Sequence, residues 1–210
     1  MQRSDFLIVF NIESLKLKND KINIHQSLID RCRKGDKKAQ FEIYKLYYKA
    51  MYNASFRIVQ DSLEAEDIMQ ESFLSAFEKL HTYKNEVSFG AWLKRIVVNN
   101  SLDAIRKRKA ELVDIDNTVI EIEEDITDTD YEAVKNKAAL IKETINQLAD
   151  GYRIILNLYL IEGYDHEEIS EIMNISSSTS RSQYARARKK LLELLSQKQE
   201  TNSQSSVLYN

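Results

Sequence analysis

The chain has 210 residues, no proline, only four glycines and a formal net charge of −3, and 43% of its residues are hydrophobic. This length suits one ordinary domain or two small ones. So few chain breakers exclude a hairpin-rich β fold, a collagen-like chain and a flexible linker protein. A single cysteine excludes an internal disulfide and a cysteine-based zinc site.

Residues 1–21 precede the first regular helical pattern and contain one apolar run, Phe6–Phe10. The run is shorter than the apolar core of a secretory signal, and no small-residue cleavage site follows it. We interpret it either as an N-terminal extension or as a helix docked on the first domain. No apolar stretch approaches the roughly 18 residues that a membrane-spanning helix needs, so no membrane insertion is predicted. The lone thiol suits a reducing cytoplasm.

Residues 22–110 begin with two helical patterns. Gly35 suits the left-handed position that follows a short first helix. Asp36 precedes a second helix, whose apolar stripe runs to about Val59.

Two more helices follow in the same segment. Asp61 is an N-cap residue, and Glu64, three positions on, has the spacing of a capping box. The third helix runs to a polar loop at residues 81–87. Ser88 then caps a fourth helix, which holds Trp92 among its apolar positions and ends in a basic run.

The charge pattern marks the domain boundary. Residues 111–130 hold nine acidic and no basic side chains, whereas residues 22–110 carry 16 basic and 11 acidic ones, a net charge of +5. A block of one sign repels itself and stays extended. We therefore predict an all-α chain with two small helical domains, 22–110 and 131–196, joined by an acidic linker and followed by a tail, 197–210.

The second domain opens with two helical patterns. The first runs from Tyr131 to Leu148, and the second from Tyr152 to Ile161. Asp150 is predicted to cap the second helix.

A helix-turn-helix pattern follows. Asp165 and Glu168 form a second capping box, which opens a short helix. Asn174 tolerates the left-handed conformation of a tight turn, and Ser176 can cap the final helix. A short helix, a turn of a few residues and a second helix are the arrangement of DNA-binding helix-turn-helix units, although many such pairs only pack together.

The final helix separates an inward face from an outward one at 100° per residue. The inward face comprises Ser180, Tyr184, Ala187 and Leu191. The outward face is small, polar and basic, and such a face fits a DNA major groove. It comprises Ser178, Arg181, Ser182 and Ala185.

Basic residues cluster at two places, which indicates two contacts with a polyanion. The first cluster comprises Lys94, Arg95, Arg106, Lys107, Arg108 and Lys109. The second comprises Arg181, Arg186, Arg188, Lys189 and Lys190. Either cluster alone could be an ordinary solvated helix face.

Several motifs, in order and at matching separations, resemble those of bacterial RNA polymerase sigma factors of the extracytoplasmic-function subgroup. The matching segments are Leu28–Asp36, Glu66–Phe73, Phe89–Asn99, Gly163–Ser170 and Thr179–Arg188. The acidic segment takes the place of the family's variable linker. One departure lies in the final helix, where Ser180 stands at a position that the family fills with a branched apolar residue.

The resemblance implies that the chain binds core RNA polymerase, directs it to promoters and promotes DNA opening. The expected partners are the clamp of the largest polymerase subunit, the beta flap, promoter DNA as duplex and melted strand, and an anti-sigma protein. No cofactor is implied. The implied polymerase-binding residues, which share one helix face, are Asp67, Gln70 and Glu71.

The implied DNA contacts fall into two groups. In the loop, an aromatic ring beside a cation and an amide suits an unpaired base. The minus-ten residues are Tyr83, Lys84, Asn85, Lys94, Arg95, Asn99 and Arg106. The minus-thirty-five residues are Ser178, Thr179, Arg181, Ser182, Ala185, Arg186 and Arg188.

Other interpretations stay open at this stage. The acidic face around Asp67 could be a solvated surface, and a catalytic carboxylate pair there would need a pocket and a nucleophile or metal that no motif supplies. His25, His81 and His166 form no ligand motif, so no metal is predicted. The main alternative is a stand-alone helix-turn-helix regulator, which has no use for the Asp67 face or the Tyr83 loop; an enzyme is a distant third.

Overall fold

The computed structural model describes residues 25–111 and 131–207, and all regular structure in these ranges is helical. The described residues form two compact units, 25–111 and 131–207. The predicted all-α class is confirmed. The predicted extension, 1–21, and all but the first residue of the predicted linker, 111–130, lie outside the described residues. In the described parts, no helix is long and apolar enough to cross a bilayer.

The first unit has the four predicted helices. They are α1 (Gln26–Arg33), α2 (Lys37–Val59), α3 (Ser62–Glu78) and α4 (Phe89–Glu111), with a 3₁₀ turn at Leu80–Thr82 after α3. Helix α2 packs against α1, α3 and α4, and α3 also packs against α4.

The turn between α1 and α2 follows the predicted chemistry. Gly35 has φ of 79°, and the carboxylate of Asp36 accepts hydrogen bonds from the backbone N–H groups of Lys38 and Ala39. Arg31 pairs with Asp36 at 2.8 Å. The Ala39 N–H and the Arg31 guanidinium both lower the pKa of the Asp36 carboxyl.

The capping box predicted at α3 is only half formed. Asp61 accepts the Glu64 N–H at 2.8 Å, as expected of an N-cap. The Glu64 carboxylate pairs with Arg108 of α4, which also donates to the carbonyl of Val59. A long-range ion pair has thus taken the place of a local bond. Arg108 thereby ties α4 to the α2–α3 turn, although it belongs to a basic cluster predicted from sequence.

The core of the first unit is aromatic and aliphatic, with small residues where helices approach closely. Ser55 of α2 and Ser101 of α4 are fully buried and hydrogen-bonded to each other at 2.9 Å. A Cβ at Gly90 would lie 2.9 Å from the ring of Tyr47, so glycine permits this contact between α4 and α2. Cys32 lies buried on α1, and burial raises the pKa of its thiol to about 11.

The second unit has four helices in the predicted order. They are α5 (Tyr131–Asn146), α6 (Asp150–Leu156), α7 (His166–Met173) and α8 (Ser177–Val207), and a π turn at Asn157–Ile161 follows α6. Helix α8 packs against α5, α6 and α7.

The predicted cap of α6 is wrong. The helix begins at Asp150 itself, and Ala149 is the N-cap residue without a side-chain bond. Asp150 forms an ion pair with Arg153 at 2.8 Å. An acid in the first turn still opposes the positive end of the helix dipole, so the residue type suits the position.

The helix-turn-helix itself forms as predicted. Asp165 and Glu168 complete a capping box at α7, and Asn174 has φ of 56°. The hydroxyl of Ser176 accepts the Thr179 N–H at 3.1 Å and so caps α8. Helix α8 continues to Val207, beyond residue 196, where the sequence pattern placed the end of the domain.

Candidate functional site

Helix α3 presents an exposed stripe of mixed character. Asp67 and Gln70 are exposed, and so are Leu63 and Leu74, at 75% and 65%. These four residues fall within about 60° of arc, and Glu71 lies beside them. We call these five residues the α3 face.

The opposite side of α3 carries the side chains that are buried in the core of the first unit, Ile68, Met69, Phe73 and Ala76. Gln70 donates from Nε2 to the carboxylate of Glu66, four residues earlier on the same helix, at 3.2 Å. Leu63 and Glu66 also line a surface depression of about 420 Å³ beside three tyrosines of α2, Tyr44, Tyr48 and Tyr52. The α3 face is therefore a surface with two apolar ends and a polar centre.

The sequence prediction missed Leu63 and Leu74. The signal was available, since positions 63, 67, 70 and 74 follow the alternating spacing of four and three residues of a helix–helix seam. An exposed leucine alone means little, whereas two of them at both ends of a polar patch make the α3 face a candidate contact surface.

Tyr83 does not occupy the position expected of a base-stacking ring. It is 3% exposed, and its ring lies 5.7 Å from that of Phe89 and 5.2 Å from that of Trp92. Its hydroxyl donates to the carbonyl of Val87 at 2.7 Å, which closes the loop on itself. The ring is therefore a support beneath the loop, and its core contacts leave no face open to a base.

Arg33 of α1 is a second support that no sequence spacing revealed. Its Nη2 donates to the carbonyl of Tyr83 at 2.7 Å, and its guanidinium lies 5.8 Å from the ring centroid. The two residues are 50 positions apart. Lys84 and Asn85, the two residues after Tyr83, are exposed, and Asn85 has φ of 60°. The supports thus leave Lys84 and Asn85 at the loop surface, where Glu86 is exposed as well.

Helix α4 brings together three of its four predicted DNA-contact residues. Arg95, Asn99 and Arg106 fall within about 40° of arc, whereas Lys94 lies about 100° away from Arg95. Asn99 is exposed, and Arg106 pairs with Asp103 at 2.7 Å. This arc forms one polar and basic stripe.

Helix α8 separates its two faces as predicted. Ser180, Ala187 and Leu191 are fully buried. The predicted outward face is exposed at all four positions, Ser178, Arg181, Ser182 and Ala185, and the flanking Arg186 and Arg188 are exposed as well. Thr179 is half-buried, and its hydroxyl shares the Ser176 cap at 2.8 Å.

His166 lies between the two helices of the helix-turn-helix unit. Its ring stacks on Tyr159 with centroids 4.7 Å apart and meets Tyr184 edge-on at 5.6 Å. Its Nδ1 is hydrogen-bonded to the hydroxyl of Ser180 at 2.9 Å. The serine at a family position for an apolar side chain therefore has a specific polar partner, His166.

Comparisons with known proteins place both units in one family. Residues 43–111 match the family described as Sigma-70 region 2, and residues 138–191 match Sigma-70, region 4. The RNA polymerase sigma-H factor of Pseudomonas aeruginosa is 31% identical over 173 residues, which cover 78% of this chain and 89% of that protein. The chain belongs to the RNA polymerase sigma factors.

Further relatives specify the group. The ECF RNA polymerase sigma factor SigM of Bacillus subtilis is 31% identical over 153 residues, covering 73% of this chain and 93% of SigM. The fold resembles that of the sigma factor RpoE of Bartonella quintana, solved with the anti-sigma factor NepR, with a TM-score of 0.53, 24% identity and coverage of 74% of this chain and 95% of that one. The extracytoplasmic-function assignment is confirmed.

This sigma factor binds core RNA polymerase and directs it to promoters for transcription initiation. The region 2 match decides against the stand-alone regulator, because a simple helix-turn-helix regulator lacks that domain. Among the described residues, no group of three histidine, cysteine or acidic side chains could hold a metal ion.

Acidification is expected to destabilise the second unit of the sigma factor through His166. Burial lowers the pKa of His166 below 6.5, the charge of Arg181 lowers it further, and Glu167 and Asp165 act in the opposite direction. Below about pH 6.5 the unfolded chain binds the proton more readily than the folded one. Stability is therefore complete above that pH and declines as the pH falls toward the folded pKa.

Peptide-resolved hydrogen exchange of the full chain at about pH 7.5 and 5.5, corrected for intrinsic rates, tests this expectation. Protection of α7 and α8 should fall more in the wild type than in His166→Gln. The fluorescence of Trp92, the only tryptophan, reports on the first unit. Its response to pH should be the same in the wild type and in His166→Gln. An equal loss of α7 and α8 protection in both would assign the acid response to other groups.

Proposed function

We propose that the two units divide the work of the sigma factor, with polymerase docking centred on the α3 face. The observation that carries this proposal is the exposure of Leu63 and Leu74 on either side of Asp67 and Gln70. Exposed apolar residues supply buried area on association, and the acids supply charge complementarity. The expected partner is a basic helical surface on the clamp of the largest polymerase subunit.

The surface of the first unit beside the 81–87 loop is proposed to bind the minus-ten element. Lys84 and Asn85 are exposed in the loop, and Asn85 can hydrogen-bond the edge of an unpaired base. The basic stripe of α4, with Arg95, Asn99 and Arg106, would follow the strand backbone. Tyr83 contributes as a support of the loop. Lys94 lies off the stripe and is assigned to the duplex flank.

The outward face of α8 is proposed to read the minus-thirty-five element in the major groove. Arg181 is long enough to reach guanine O6 and N7, and the Ala185 methyl suits a thymine methyl. Ser182 donates to the Thr179 carbonyl at 3.0 Å, so its oxygen remains available as an acceptor. Arg186 and Arg188 are assigned to phosphates, as are Ser178 and Thr179 near the helix N-terminus. Contact with the beta flap would come from this unit as well.

Three further properties are proposed from the family. The chain acts in the cytoplasm, where RNA polymerase works. It acts as an initiation factor without catalysis of its own. It forms a complex with an anti-sigma protein, as RpoE of Bartonella quintana does with NepR in the similar solved structure.

Reconstitution with core RNA polymerase tests the proposal directly. The chain should co-purify with core enzyme, and the complex should transcribe a subset of a promoter library that core enzyme alone does not. A complex that forms but transcribes no library member would contradict the promoter-reading half of the proposal.

Substitutions of two arginines on α8 should have different effects. Arg181→Ala should lose about 1–3 kcal/mol of binding and relax preference at one base position, since it removes a bidentate base contact. Arg188→Ala should weaken all sequences alike and lower the salt slope by about one, since it removes a phosphate contact. Binding-site selection on both variants measures this. Wild-type preference at every position in Arg181→Ala would assign Arg181 to the backbone.

A further inference from the structure

Two contacts in the same register join α7 to α8. His166 bonds Ser180 inside the unit, and Glu167 pairs with Arg181 at its surface. The partners of each pair are 14 positions apart, so two consecutive residues of α7 bind two consecutive residues of α8. The inner pair is held by aromatic rings and includes the fully buried Ser180. It therefore fixes the start of α8 against α7.

The outer pair is open to solvent. Glu167 Oε1 lies 3.3 Å from Arg181 Nη1, and the two side chains are 68% and 56% exposed. An exposed pair of this kind adds little to folding stability. A carboxylate near the DNA-facing surface also opposes binding to a polyanion. Glu167 thus contributes little to folding stability and lowers general DNA affinity. Its main effect is on the neighbouring Arg181.

The partner of a guanidinium determines what else it can bind. Arginine has five donors in a fixed fork, so a bond from Nη1 to Glu167 leaves the other N–H groups for a further acceptor. An arginine beside DNA meets more phosphate oxygens than base edges. A neighbouring carboxylate repels phosphates and leaves the neutral acceptors of guanine unaffected, so it shifts Arg181 toward the base.

We propose that Glu167 is a specificity-determining positioning residue, which holds the Arg181 guanidinium toward a base edge and away from the phosphates, on a helix set in place by the His166–Ser180 contact. This rests on the proposed function of α8 as the reader of the minus-thirty-five element. It assigns a role to a residue of α7 that lies within the Gly163–Ser170 motif.

Glu167→Ala in the full chain, assembled with core RNA polymerase, tests this role. In selection from a randomised duplex library, preference at the Arg181 position should fall about fivefold or more. Affinity for non-specific duplex should stay equal or become tighter, and the salt slope should rise by about one as Arg181 turns to a phosphate. Glu167→Gln, which keeps an oxygen acceptor without the charge, should lie between the wild type and Glu167→Ala.

Glu193→Ala is the matched control. It removes the same charge and another exposed ion pair, with Lys190 at 3.5 Å, which lies within α8, the helix that carries Arg181. Glu193 is 12 positions beyond Arg181, about 18 Å along the axis. This variant should keep the wild-type preference.

The remaining outcomes are distinct. Loss of preference in Arg181→Ala with no loss in Glu167→Ala would overturn the role of Glu167 and leave base reading by Arg181 intact. Equal weakening of all sequences in Glu167→Ala would make the residue merely structural and also overturn it. Wild-type preference in Arg181→Ala would overturn base reading itself, and the role of Glu167 with it. In the double variant Glu167→Ala with Arg181→Ala, the loss of preference should equal that of Arg181→Ala alone.

Discussion

The double variant Asp67→Lys with Gln70→Ala is expected to weaken binding to core RNA polymerase by about 2–5 kcal/mol, the range for disrupting close charged contacts at an interface. Both side chains are exposed and point away from the core of the first unit. Lysine at position 67 would place a positive charge against a basic partner surface, and the loss of the Gln70 amide removes a polar contact at the centre of the α3 face. Affinity measured with purified core enzyme gives the result.

The control variant is Glu42→Lys, which makes the same charge change at an exposed position of α2. It should bind core enzyme as the wild type does. Leu63→Ala and Leu74→Ala should each weaken binding too, because the flanking leucines contribute the apolar area. If the double variant is folded and keeps its affinity, the α3 face is not where polymerase binds.

Replacing Tyr83 by alanine is expected to lower the free energy of unfolding of the first unit by about 3–5 kcal/mol, the range for truncating a buried aromatic ring. Tyr83→Phe should cost only about 1 kcal/mol, since it removes one hydrogen bond, to Val87, and keeps the ring. Urea unfolding followed by Trp92 fluorescence measures both, because the two rings are 5.2 Å apart.

The free protein separates this role from base stacking. If the ring served only to stack on a base, its removal in Tyr83→Ala would leave the free energy of unfolding in the absence of DNA unchanged. Lys84→Ala is the control at the adjacent exposed position. It should alter stability by less than about 0.5 kcal/mol and reduce promoter opening, measured by permanganate reactivity. If Tyr83→Ala keeps the wild-type stability, the ring is not a support of the loop, and stacking on a base becomes its expected role.

Local signals predicted the fold because they depend on neighbouring residues. Asp36, Asp165 and Ser176 cap the helices that the pattern assigned to them, and Asn174 makes the expected left-handed turn. Short-range side-chain bonds need only a few positions of sequence, so their geometry follows from spacing.

Failures arose where a distant residue competed. Glu64 had the spacing of a capping box, yet Arg108 of another helix binds its carboxylate. Tyr83 had the composition of a base platform, yet Phe89 and Trp92 bury it. A single sequence shows that a side chain could take part in a contact and does not show which of two partners wins.

The candidate site followed the same division. The outward face of α8 was predictable from helical periodicity, because its members lie within two turns. The Glu167–Arg181 pair joins two helices across a turn, and no periodicity relates them. Contacts that depend on the angle between elements become visible only once the tertiary fold is known.

The bond from Arg33 to the Tyr83 carbonyl bears on how the protein can be dissected. Arg33 lies upstream of residue 43, where the match to the region 2 family begins. A fragment trimmed to that match would keep every matched residue and lose α1, including the buried Ile29 and Cys32. Its loop would then lose the bond that Arg33 donates to the Tyr83 carbonyl. A minimal fragment with a native loop therefore has to begin before Gln26.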